Sequence, residues 1–151
     1  MPSSSPQFES ISVSKVFDSY PDVVSEKLLF LRQLIFETAS ELGINDLEET
    51  LKWGEPSFLT KMGSTLRVAW RKTYPNEYGI FFNCKTTLVD TFKEVYPEQF
   101  RFEGNRAILF CIDDSNNYNN DNSKIPIEAL KHCIALSLTY HSIKHQPMLG
   151  I

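Results

Sequence analysis

The residues that could do chemistry gather in two short stretches. Trp53, Gly54, Glu55, Pro56 and Phe58 fall within one run of six positions. Aromatic walls with a few placed polar groups are what small-ligand sites contain. The plainer alternative is that Trp53 and Phe58 anchor a helix on a sheet while Gly54 and Pro56 shape the turn. Arg67 and Arg71 would share one strand face about 13 Å apart, with Lys85 and Arg106 as possible neighbours. Guanidinium forks suit a carboxylate or phosphate, although solvated strand arginines are common. The ligand-binding set expected from these spacings is Trp53, Glu55, Phe58, Arg67 and Arg71.

Metal and nucleophile chemistry find less support. His141 and His145 stand four apart, a spacing at which two helical histidines reach one ion. Cys133 lies about 12 Å further along the axis and cannot join them. His141 also continues an apolar stripe, so a partly buried structural histidine is expected and no metal is assigned. Glu37, Glu41, Asp46, Glu48, Glu49 and Glu55 supply the hard oxygen ligands an iron-binding reading would need, but acidic surfaces also serve solubility. Counting from Asp113, the sixth residue is Tyr118 and the twelfth Lys124, which excludes an EF-hand loop. Cys84 beside Lys85 is the one cysteine placed to have a lowered pKa. No Gly-rich phosphate loop, HExxH or GxSxG is present, so no enzymatic activity or cofactor is assigned.

Composition bounds the rest. The 151 residues suffice for one domain without staples. The net charge of −4 argues against a general binder of nucleic acid or anionic membrane. It is uneven: four basic and ten acidic residues lie up to Glu55, but eight basic and five acidic from Pro56 to Phe110. The middle third is therefore suited to an anionic ligand. Three cysteines without CxxC spacing fit a reducing compartment. The first seven residues lack a charged start and an apolar segment, and no apolar run is of membrane-crossing length. A cytoplasmic protein is expected.

These residues must be positioned by elements whose periods are legible. Val13, Val16, Phe17 and Tyr20 predict a short helix before Pro21. Asp22 is expected to cap a second helix reaching Leu42, with Gly43 as its C′ residue. Asp46–Trp53 fits both periods; a short helix ending near Gly54 is preferred because Pro56 disfavours helical angles at Glu55. Ser57–Lys61, Thr65–Lys72 and Tyr78–Asn83 predict a meander. A helix over Thr86–Tyr96, a hairpin of Phe100–Glu103 with Arg106–Ile112, a solvated loop over Asp113–Lys124 and a last helix from Pro126 to about Lys144 complete the chain. In the middle strand Leu66, Val68 and Trp70 face one way, and Arg67, Ala69 and Arg71 the other. Arg106–Ile112 is apolar on both faces, so the second sheet face is covered, or is a groove or an interface.

The order of these elements, with Leu47-Glu-Glu-Thr-Leu-Lys-Trp53-Gly54-Glu55-Pro56-Ser-Phe58 and the later Phe102-Glu-Gly104-Asn-Arg-Ala-Ile-Leu-Phe110, resembles the YdhG-like family, a bacterial domain of unknown function. The likeness spans roughly residues 20–145, and its most specific part is the Trp-Gly-x-Pro-x-Phe/Tyr turn. It implies an α+β fold. Some members are described as frataxin-like iron chaperones, but no metal motif carries over to numbered positions.

The expectation is thus an α+β domain over residues 11–146, with a curved antiparallel sheet of about five strands packed against N-terminal and C-terminal amphipathic helices. Residues 1–10 and 147–151 are expected to be tails. A non-enzymatic module binding a small ligand or a protein is the leading function, monomeric or homodimeric, with no nucleic acid and no membrane as partner. Ferrous iron held by the acidic helices is the alternative.

Overall fold

In the computed structural model, which describes residues 6–112 and 125–150, the chain is an α+β fold with all its helices against one face of an antiparallel sheet. The loop expected over Asp113–Lys124 lies outside the described residues. Helix α1 (Ile11–Ser19) starts at Ser10, whose hydroxyl accepts from the Val13 N–H at 3.3 Å, as an N-cap should. Helix α2 (Asp22–Glu41) departs from expectation at its start: Pro21 occupies the cap position, and Asp22 lies in the first turn, where its charge meets the positive end of the helix dipole. Gly43 follows the helix with φ +74°, the left-handed stop its position predicted.

The stretch preferred as a short helix is strand β1 (Glu48–Lys52), paired along its length with β2 (Glu55–Leu59). Alternation wins over the four-residue Leu47–Leu51 spacing because Glu49 and Leu51 are both drawn inward, Leu51 to the core and Glu49 to a buried arginine. Pro56 is tolerated inside β2 because the ladder to β3 (Leu66–Trp70) is confined to Ser57 and Phe58, so the missing N–H has no partner to lose. Strands β4 (Glu77–Phe81), β5 (Arg101–Glu103) and β6 (Ala107–Cys111) complete a sheet of order β1-β2-β3-β4-β6-β5. Among the described residues it has six strands where about five were expected.

Helix α3 (Leu88–Val95) and helix α4 (Ile127–Leu138) close the helical layer. The last helix was expected to run on to Lys144; instead it breaks at Thr139 and resumes as α5 (Tyr140–Ile143). The Ser137 carbonyl accepts from the Ser64 N–H at 2.8 Å, and the His141 N–H turns to the Met62 carbonyl at 2.8 Å. The β2–β3 turn thus captures the hydrogen-bonding groups that would have continued the helix. A Cβ on Gly63 would meet the Leu138 carbonyl oxygen at 2.6 Å, so that close approach requires glycine.

Leu28, Leu31 and Ile35 of α2, Phe58, Val68, Ile80 and Ile108 of the strands, and Leu130, Ile134 and Leu138 of α4 form the main core. A second, smaller cluster, Ala69, Phe81, Ala107 and Leu109, sits on the other face of the sheet, and no helix residue enters it. The segments read as tails are engaged where they are described. Phe8 packs on Phe17 with centroids 5.5 Å apart, and Leu149 is buried. Among the described residues no helix is long and apolar enough to cross a membrane.

Candidate functional site

The outer sheet face is built by register. Arg67 pairs with Phe81, Phe81 with Ala107 and Ala107 with Glu103, which brings one residue from each of four neighbouring strands into one row. Phe81 and its small neighbours are buried although no helix among the described residues contributes to their cluster. Their cover is arginine: the guanidinium carbons of Arg67, Arg71 and Arg106 lie 5.4, 5.6 and 5.9 Å from the Phe81 ring centroid. At that distance a cation is attracted by the ring face, and the long stems cover apolar surface while the heads stay in water.

Carboxylates fix these forks. Glu103 accepts from Arg71 at 3.0 Å and from Arg106 at 2.7 Å, and Glu55 accepts from Arg67. Hydrogen bonds from Arg71 and Arg106 hold the Glu103 carboxyl below its usual range, against a smaller opposing effect of burial. Neither arginine beside the cleft is exhausted. Arg67 spends Nη1 on Glu55, and Arg106 spends Nε and Nη2 on Glu103, out of five N–H donors on each guanidinium.

At one end of this row lies a cleft of about 400 Å³ lined by Lys52, Trp53, Thr65, Arg67, Phe82, Asn83, Cys84 and Arg106. Among the described residues its lining contains three cations and no carboxylate. Lys52 makes no ion pair among the described residues. Trp53 and Gly54 form the two-residue connection of β1 and β2, with φ +56° and +76°, the pair of positive angles a type I′ turn demands. Asn-Gly is the usual occupant; a tryptophan in that region is strained. Trp53 is also 91% exposed, so its indole recovers none of that cost by packing.

The expected binding set is therefore divided. Trp53 and Arg67 line the cleft, Glu55 holds Arg67 in place, and Arg71 stands further along the same face between Glu103 and Tyr74. Phe58 is a correction: strand alternation turns it to the opposite face, where it is fully buried and meets Phe36 edge-on at 6.0 Å. The alternative in which Trp53 and Phe58 anchor a helix holds for Phe58, which packs on Phe36 of α2, and fails for Trp53, which stands exposed at the hairpin tip. Lys52, Thr65, Phe82 and Asn83 were missed, and the type I′ hairpin that aims Lys52 and Trp53 was hidden by the helical reading of 46–53. Arg106 was suspected as a neighbour and lines the cleft, while Lys85 does not.

The other candidates are dispersed. Glu49 grips Arg32, whose side chain is wholly buried, through two bonds of 2.5 and 3.0 Å, and Arg32 also donates to the Pro6 carbonyl at 2.6 Å and lies 3.9 Å from the Phe8 centroid. Glu37 and Glu41 bind Lys131, joining α2 to α4. Asp46 accepts from Thr60 and the Lys61 N–H. Among the described residues no group of three His, Cys, Asp or Glu could hold a metal ion. His141 is exposed, contrary to the partly buried histidine expected, because the break at Thr139 rotates it out of the α4 stripe, and His145 falls beyond α5. The chain matches no family model, no curated protein and no solved structure.

Proposed function

We propose that this chain is a binding module that holds a small organic anion in the cleft between Trp53 and Arg106. The observation that carries the reading is a strained, solvent-exposed tryptophan beside three cations, two of them held by Glu55 and Glu103, with no carboxylate among the described lining residues. Strain that packing does not repay points to function. The cleft's volume suits a small molecule, and the arginine heads are held over Phe81 before any ligand arrives, which lowers the cost of binding. Among the described lining residues Cys84 has no histidine or carboxylate beside it, which favours binding over catalysis. Kinship with YdhG-like domains and a cytoplasmic location belong to the same proposal, the latter supported by three free cysteines.

A ligand bound only by the native state raises its melting midpoint. Millimolar citrate or inorganic phosphate should therefore raise the midpoint of the native protein by about 3 °C, and by clearly less in Arg106→Ala. The salting-out stabilisation such anions give any protein is common to both chains and cancels in the comparison. Equal shifts in the two proteins would sink the reading.

A further inference from the structure

The cleft holds two chemistries side by side, and a simple anion would use only one of them. Arg67, Arg106 and Lys52 offer cationic donors, whereas Trp53 offers an indole whose faces are both open to solvent. Phe82, the other aromatic in the lining, is buried and stacked edge-on against Phe92 at 5.0 Å, so it presents no free face. Nothing among the described side chains stacks on Trp53. The left-handed backbone at Trp53 fixes where its side chain leaves the hairpin, and the pairing of Lys52 with Glu55 closes the turn tightly beneath it. An indole held out in water beside cationic donors leaves a face on which a second flat ring can stack.

Resting on the anion cleft described above, we infer that the ligand is an aryl oxyanion: an aromatic or heteroaromatic ring bearing a phosphate or carboxylate. Its ring stacks on the Trp53 indole while its anionic group is taken by the free donors of Arg67 and Arg106 and by Lys52. The stacking geometry is the offset or edge contact that aromatic pairs prefer. The cations supply position and charge, and Trp53 supplies the selection for a ring.

Calorimetric titration with phenyl phosphate and with inorganic phosphate separates the two components. Stacking of one ring, at about 1.4 kcal/mol for each tenfold in affinity, should make phenyl phosphate bind roughly tenfold more tightly than inorganic phosphate. Trp53→Ala should erase that preference by weakening phenyl phosphate roughly tenfold; since Trp53 is 91% exposed, this variant keeps its fold. Arg106→Ala should weaken both ligands. Equal affinities in the native protein, or a preference that survives Trp53→Ala, would overturn the aryl inference and leave the anion cleft standing. Absence of millimolar binding by either compound would overturn both.

Discussion

Trp53 is where conformation and exposure disagree most. Its φ of +56° places a bulky side chain where Asn or Gly is at home, and its exposure removes the burial that normally offsets such strain. Trp53→Asn should accordingly stabilise the protein by roughly 1 kcal/mol, seen as a higher midpoint in urea with an unchanged slope. The same substitution should abolish the preference for an aromatic ligand. A destabilised Trp53→Asn protein would show that the indole makes a structural contribution. At this scale the sequence was informative about residue types and silent about direction. Trp53 and Phe58 looked like one aromatic pair, yet the turn between Lys52 and Glu55 sends one into solvent and the strand sends the other into the core. Arg67 could be assigned from alternation alone, because a central strand with apolar residues at every second position leaves its arginines only one face.

Between elements, the buried Arg32–Glu49 pair joins α2 to the edge strand β1 and to the segment before α1. Arg32 is wholly buried and Glu49 nearly so, and the guanidinium is further enclosed by Phe8 and Phe36, at 3.9 and 4.8 Å. Glu49→Ala would leave that cation without its counter-charge, and the expected loss is about 3–5 kcal/mol, measurable by chemical denaturation. Glu48→Ala, at an exposed neighbouring position, should change stability by less than about 0.5 kcal/mol. Equal effects of the two would contradict the account of β1 as a strand with Glu49 inward. The helical reading of 46–53 missed this strand because an inward glutamate disguises the alternation: its partner, Arg32, comes from another element and leaves no local signal. The break at Thr139 was invisible for the same reason, since Ser64 and Met62 capture α4's backbone groups from a distant turn. By contrast, the meander from β2 to β4 and the final hairpin were readable, because there the periods of neighbouring residues carry the whole pattern.

For the molecule as a whole, the layout is one helical layer on one face of the sheet and an arginine-roofed apolar row on the other. The two-faced apolar pattern of Ala107–Cys111 required this second face to be covered, a groove or an interface. Among the described residues its cover is the side chains of Arg67, Arg71 and Arg106. The cysteines sample the three environments that result. Cys133 is buried in the helical core, where desolvation raises its thiol far above the ordinary value. Cys84 is exposed and lines the cleft, while Cys111 is exposed at the far end of the sheet opposite Glu77. Because the thiolate is the reacting species, alkylation of the native protein should label Cys84 and Cys111 and spare Cys133. The most direct test of the anion cleft is the rate at which iodoacetamide labels Cys84, followed by mass spectrometry with and without millimolar phenyl phosphate, with Cys111 as the internal control. The cleft reading predicts that Cys84 slows several-fold while Cys111 does not change; a Cys84 rate that phenyl phosphate leaves untouched would contradict it.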